Sequence, residues 1–210
     1  MVIRQETPQD WRETENLTRE AFWNVYRPGC MEHFILHRFR ERPDFIPALD
    51  LVMEDAGELV AHIMYCRAPY GTDDGREVPT VLFGPVSVRP DRQGLGLGSR
   101  LIRYSLERAK ELGCGAVAIT GNPAFYHRFG FVSGASRGVY YAGMDREEEA
   151  PFFMIKELIP GFLPDVPGTI SEPDGYQVDP AELEAFDRLF PPKVKERRPG
   201  QLDGQGEASH

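Results

Sequence analysis

The feature that most restricts how this chain can fold is the stretch from Thr80 to Phe131. It opens with an apolar, β-rich run, Thr80-Val-Leu-Phe-Gly-Pro-Val-Ser-Val88. A turn follows at Gln93-Gly-Leu-Gly-Leu-Gly98, then a helix-like run to Leu112 that closes on Gly113. A second apolar run, Ala116 to Thr120, leads into Asn122-Pro-Ala-Phe-Tyr126, the opening of a short helix. The order is strand, glycine turn, helix, strand, short helix. Proline has no N–H for a sheet ladder, so Gly84-Pro85 inside the first strand predicts a bulge or a splay there.

The glycine turn is suited to an anion. Gly94, Gly96 and Gly98 carry no Cβ, which permits positive φ and a close approach by a ligand. Helix-forming sequence starts at once, and the first turn of a helix offers unpaired N–H groups and the positive end of its dipole. Together these predict a phosphate site, with Arg92 and Arg100 flanking it. The dinucleotide fingerprint G-x-G-x-x-G begun at Gly94 would need glycine at position 99, where Ser99 stands, and no Gly-Lys-Ser/Thr follows as a P-loop requires. A nucleotide-binding protein is disfavoured by this spacing.

The run Val86-Ser-Val-Arg-Pro-Asp-Arg-Gln-Gly-Leu-Gly-Leu-Gly-Ser-Arg-Leu101 resembles motif A of the GNAT superfamily of acyl-CoA N-acyltransferases. Gln93, Gly96 and Gly98 meet its pattern [Q/R]-x-x-G-x-[G/A]. Asn122-Pro-Ala-Phe-Tyr-His-Arg-Phe-Gly-Phe131 resembles motif B, with its Tyr-x-x-x-Gly-Phe ending. The resemblance covers about residues 1–160. It implies an α/β (α+β) fold: a mixed, mostly antiparallel central sheet, splayed at the strand 80–88 and flanked by helices. It implies acetyl-CoA as co-substrate. Backbone groups of Val86 and Val88 would pair with the pantetheine arm, and the turn from Gln93 and Gly94 through Leu95, Gly96, Leu97 and Gly98 to Ser99 would hold the pyrophosphate. Asn122 is read both as a CoA contact and as a helix N-cap. Tyr126 is placed by the resemblance beside the thioester sulfur as general acid. A phenol with a pKa of about 10 suits protonation of a thiolate of similar basicity.

The implied reaction is direct attack by an amine on the thioester carbonyl while both substrates are bound. An amine of pKa about 10 is only about one part in a thousand neutral at pH 7, so a base is expected. The strand Thr80–Val88 contains no acid, which leaves Glu54, Asp55, Glu77, His33 and His62 as candidates. A non-catalytic acyl-CoA-binding sensor or interaction module on the same fold is the alternative. Polyamine, amino acid, aminoglycoside and protein N-terminus all remain open as acceptors.

Composition narrows the setting. A net charge of −9 argues against non-specific nucleic-acid binding. No apolar run approaches the roughly 18 residues of a membrane span, and the N-terminus lacks a signal-peptide pattern. Cys30, Cys66 and Cys114 are scattered and odd in number, which predicts free thiols and a cytoplasmic protein. His33 and His37 stand one helical turn apart, but without the Glu of H-E-x-x-H or a third ligand they are read as helix surface, and no metal is expected. Expected partners are acetyl-CoA and a small-molecule or peptide amine acceptor, with a homodimer as a possible assembly and neither nucleic acid nor membrane.

Along the rest of the chain, Val2–Gln5 reads as a strand. A helix to about Trp23 is expected to bury Trp11, Leu17, Ala21 and Phe22, and a second helix spans Met31–Arg42. Ala48–Met53 and Glu58–Tyr65 read as strands, and the helix after the glycine turn is expected to bury Leu101, Ile102, Leu106, Ala109 and Leu112. Val139–Met144 and Phe152–Leu158 read as closing strands around a solvated acidic loop, 145–149. The organisation expected is a GNAT domain over 1–160, an extension with a short helix over 161–190, and a mobile tail over 191–210.

Overall fold

A computed structural model describes residues 1–202. A seven-stranded sheet forms the centre. Its strands are β1 (Val2–Gln5), β2 (Leu51–Asp55), β3 (Glu58–Arg67), β6 (Val81–Val88), β7 (Ala116–Thr120), β8 (Val132–Ser133) and β10 (Phe153–Glu157). They lie in the order β1-β2-β3-β6-β7-β10-β8, and every neighbouring pair is antiparallel except β6 and β7, which are parallel. The mixed, mostly antiparallel sheet is the one the resemblance implies. A smaller sheet, in the order β5-β4-β11-β9, joins β4 (Tyr70–Thr72), β5 (Glu77–Val78), β9 (Val139–Tyr141) and β11 (Gly168–Ile170).

Helices cover both faces. Helix α3 (Leu97–Glu111) lays Leu97, Leu101, Ile102, Leu106 and Ala109 against Met53, Ile63, Phe83 and Ile119. Leu112, expected in that stripe, is 44% exposed because the helix has already ended at Glu111. Helix α2 (Glu32–Phe39) packs Ile35, Leu36 and Phe39 with Met64, Leu82, Ala118 and Ile155 on the opposite face. Alternation along each strand sends neighbouring residues into these two separate cores.

Helix α1 (Trp11–Phe22) fully buries only Leu17 of the stripe expected of it. Trp11 is 40% exposed, and the buried residues are Thr14, Glu15, Leu17, Thr18 and Arg19. Buried charges persist only where they are paired. Arg40 donates to Glu15 at 2.7 Å and to Glu6 at 2.8 Å, and the Arg19 Nε donates to Asp187 at 2.7 Å. All these partners are distant in sequence. The helix crosses the sheet: Thr14 meets Glu6, Leu17 packs on Val52 and Leu59, and Thr18 accepts a 2.8 Å hydrogen bond from Ser87 of β6.

The C-terminal part is tied to the same body. β11 pairs with β4 and β9, so hydrogen bonds join residues on both sides of the boundary expected at 160. β9 therefore closes the smaller sheet instead of pairing with β10. Helix α5 (Pro180–Asp187) places Phe186 with Phe34 and Phe190. The segment expected to be a mobile tail runs back along the end of α1. Val194 accepts from Trp23 Nε1 at 2.9 Å and Asn24 Nδ2 at 3.0 Å, Lys193 donates to Glu20 at 2.7 Å, and the Leu202 N–H donates to Tyr26 at 2.9 Å. The expectation for 203–210 lies outside the described residues. Among the described residues no helix is long and apolar enough to cross a membrane.

Candidate active site

The gap in the sheet is defined by a broken ladder. β6 and β7 pair only at Val81↔Val117 and Leu82↔Ala118, after which β6 continues to Val88 beside β3 alone. The Gly84–Pro85 peptide at this point is cis, with Gly84 at φ 141°. Arg89 donates its N–H to Val60 at 2.9 Å, and the register sets Ser87 opposite His62. Hydrogen bonding alternates sides along a strand, so Ser87 and Arg89 bond to β3 while Val86 and Val88 turn their N–H and C=O groups to the open edge. Gln93 reaches that edge, donating from Nε2 to the Val88 carbonyl at 3.1 Å.

The glycine turn stands at the end of β6. Gly94 and Gly96 adopt φ of 77° and 79°, and α3 begins at Leu97. The first helical bond is from Arg100 N–H to the Gly96 carbonyl, 3.0 Å, which leaves the N–H groups of Leu97, Gly98 and Ser99 as the first-turn donors. Leu95 is 64% exposed. A Cβ on Gly98 would stand 3.3 Å from Val88 Cγ2, so this glycine lets the helix sit close to the strand. Arg92 flanks the turn 3.9 Å from Asp55, and Arg100 reaches Met1.

Helix α4 (Pro123–Tyr126) starts immediately after β7. Asn122 caps it, Oδ1 accepting from Ala124 N at 3.0 Å. This is the cap read from the sequence, and it leaves Nδ2 as the atom for any ligand contact. The Tyr126 ring packs at 6.0 Å from Phe83, 6.0 Å from Phe131 and 5.0 Å from Phe125. Burial raises the phenol's pKa, with a lesser contribution from Tyr26, so the hydroxyl is held protonated. Tyr26 lies just past the end of α1, where the helix has crossed to β6.

The base candidates do not gather around Tyr126. Glu54 and Asp55 sit at the end of β2, two strands from the gap, against Arg4 and the N-terminal amine. Glu77 belongs to the smaller sheet. His33 is not helix surface: it is fully buried between Phe186 and Phe190, with Nε2 3.2 Å from Asp187, and burial lowers its pKa to about 4. His37 is the exposed member, Nδ1 standing 2.9 Å from Glu15. His62 is fully buried with Nε2 2.6 Å from Asp50, and burial lowers its pKa to about 4.

Glu6, Asp50 and His62 bring potential metal-ligand atoms within 4.8 Å of one another. Arg40 already occupies this cluster, donating to both Glu6 oxygens at 3.1 and 2.8 Å, and its fixed positive charge opposes a cation there.

One feature of the site has no sequence signal. On the α2 side of the gap a cavity of about 390 Å3 is lined by Tyr141, Glu172 and Tyr176 among others. Its residues come from β9, the turn after it and the proline-rich stretch expected to be an extension, and nothing in their spacing connects them to the strand 80–88.

A mixed sheet that parts along its one parallel pair, with a glycine turn and helix N-terminus at the open end, defines a GNAT fold. The acetyltransferase (GNAT) family model matches residues 9–131, over half of the chain, and the protein belongs to that family. It is 36% identical over 85 residues to the uncharacterized N-acetyltransferase YjhQ of Escherichia coli, a match spanning 40% of this chain and 46% of YjhQ. It is 31% identical over 132 residues to the uncharacterized N-acetyltransferase YhbS of the same organism, covering 62% of this chain and 73% of YhbS. The crystal structure of YhbS in complex with CoA is similar at a TM-score of 0.71 and 25% identity, over 84% of this chain and 92% of that one. A GNAT family acetyltransferase from Brucella melitensis in complex with acetyl-CoA gives a TM-score of 0.67 at 28% identity, over 83% and 97% of the two chains.

Proposed function

We propose that the protein transfers an acetyl group from acetyl-CoA to a primary amine by direct attack within a ternary complex. The observation that carries this reading is the open edge of β6. The backbone groups of Val86 and Val88 face the gap in line with the N-terminus of α3, which suits a pantetheine arm leading from a pyrophosphate. The CoA and acetyl-CoA bound by the two structural relatives support the same assignment. Gly94, Leu95, Gly96, Leu97, Gly98 and Ser99 hold the pyrophosphate, Gln93 steadies the strand end, and the amide of Asn122 is left for a CoA contact.

Tyr126 is the general acid. The phenol protonates the departing thiolate, and its aromatic surroundings keep it neutral until that moment. Direct attack needs no Lewis acid, so no metal enters the reaction. The test is single-turnover acetyl transfer over a panel of amines, with CoA affinity measured by calorimetry. Tyr126→Phe removes one atom from a packed ring, so CoA affinity should change less than about threefold while the chemical step slows by about a hundredfold or more. An unchanged chemical step would remove Tyr126 from the role of acid. Failure of the native protein to bind CoA would refute the whole reading.

A further inference from the structure

The open sheet has two faces, and a different set of side chains stands at each. On the α3 face, Tyr126 packs against Phe83 and lies over Gly121. On the α2 face, the Tyr176 hydroxyl donates to the Gly84 carbonyl at 2.8 Å, and the Thr120 hydroxyl donates to Glu172 Oε1 at 3.2 Å. Phe83 and Gly84 are successive residues of β6, and Thr120 and Gly121 are successive at the end of β7. Neighbours in a strand point to opposite faces. Tyr126 and Glu172 therefore flank the same gap from opposite sides, just where β6 and β7 part.

The face that carries Glu172 has room for a ligand. The cavity of about 390 Å3 is bounded by Tyr141, Ser171, Glu172, Tyr176 and Gln177, with Glu172 its one charged side chain. The partners of that carboxylate, Thr120 and Tyr141, are both neutral. Burial raises the pKa of Tyr141 and Tyr176, so both present uncharged aromatic rings. A lone carboxylate beside two neutral aromatic rings suits an ammonium group and opposes an anion. Tyr141 also borders a hollow that carries Asp145 and Glu148.

We infer that this cavity is the acceptor site, that Glu172 binds the acceptor's ammonium group and takes its proton, and that the acceptor is a cationic primary amine without an adjoining carboxylate. Asp145 and Glu148, beyond Tyr141, favour an acceptor with a second ammonium group. The inference rests on the transferase reading above and supplies the base that the strand 80–88 lacks. The ammonium gives one proton to Glu172. The neutral nitrogen then attacks the thioester carbonyl carbon, forming the C–N bond. The C–S bond breaks with its electron pair on sulfur, and sulfur takes the proton of Tyr126. The second proton on nitrogen returns through solvent to the Tyr126 phenolate, and Glu172 releases its own to solvent. The products are the amide, the CoA thiol and one proton.

The test uses the full chain with spermidine, butylamine and glycine as probes, and compares native protein with Glu172→Gln and Glu172→Asp. Spermidine binding to the CoA-bound protein is read by calorimetry, and transfer by single-turnover rates against pH. Spermidine should bind and react best, butylamine next, and glycine at least tenfold worse than butylamine. Glu172→Gln keeps an acceptor for the Thr120 hydroxyl, so CoA affinity should stay within twofold. Spermidine affinity should fall tenfold or more, with partial recovery in Glu172→Asp. The variant's rate should also climb tenfold per pH unit up to the amine's own pKa, where the native rate levels earlier. Unchanged spermidine affinity in Glu172→Gln, a preference for glycine, or no binding of either amine to the CoA-bound native protein would each overturn the inference. Glu172-dependent binding of spermidine without any transfer would keep the site and overturn the transferase reading instead.

Discussion

The Tyr126 ring lies over the backbone of Gly121 so closely that a β-carbon at that position would stand 2.5 Å from the ring's Cε2. Gly121 is the first residue after β7, and Tyr126 is the last of α4, so the chain doubles back on itself to bring the phenol to the gap. Phe83, Phe125, Phe129 and Phe131 surround the ring and fix its tilt.

Gly121→Ala should therefore displace the phenol. The ring is hemmed in by four others, so overpacking should cost about 1–3 kcal/mol of stability. Turnover should fall by more than tenfold, because small displacements of a catalytic group cost about a hundredfold in rate. CoA affinity should change little, since the glycine turn lies on another element. Denaturant unfolding, calorimetry and single-turnover rates on the one variant check all three.

Gly96→Val should act on the cofactor. No atom stands within 4 Å of a Cβ built at Gly96, so the new side chain has space in the protein itself. Its backbone does not suit valine: Gly96 holds φ at 79°, and a β-branched residue there is strained by about 1–3 kcal/mol. On the proposed reading, the side chain would also stand where the pyrophosphate approaches the α3 N-terminus. CoA affinity should drop by more than about tenfold, most of it in binding and not in the chemical step. Equal affinity in calorimetry would show that the phosphates bind elsewhere.

Glu6→Gln should change how stability depends on pH. Burial and the facing Asp50 carboxyl push the Glu6 pKa from 4.5 up to about 7, against the opposing pull of His62 and Arg40. A carboxyl with a raised folded pKa contributes stability that is fully present below pH 4.5 and is lost as pH rises to about 7. Glutamine cannot titrate. The stability of the native protein minus that of the variant should therefore fall across this window, by on the order of 1–3 kcal/mol in total. His62, depressed by burial from 6.5 to about 4, acts in the opposite sense, and because the Glu6 charge opposes that depression, its titration is pushed lower still in the variant. Urea midpoints at pH 4, 5, 6 and 7 measure it, and a flat difference would show that Glu6 does not carry the proton.

Much of the fold was legible because it is written in local pattern. The glycine turn, the amphipathic α3, the proline that interrupts the ladder and the Asn-Pro start of α4 each act within a few residues. The family resemblance that 80–131 carries implies the splayed sheet, and the structure has it, with β6 leaving β7 after Leu82. The places of Tyr126 at the end of α4 and of the turn Gln93–Ser99 before α3 are legible in that stretch alone.

What the sequence could not determine lies between residues far apart in the chain. Arg19 and Glu15 lie outside the apolar stripe expected of α1, yet both are buried, because Asp187 and Arg40 arrive from other elements to pair with them. His33 reads as helix surface until α5 covers it with Phe186. The proline-rich stretch after 160 reads as an extension, but β11 and Tyr176 fasten it to the smaller sheet and to Gly84. A carboxylate at position 172 has no local signature that separates it from any surface glutamate. Only tertiary structure sets it against Thr120, on the opposite side of the gap from Tyr126, because a hydrogen bond across 52 residues leaves no period or motif in the sequence.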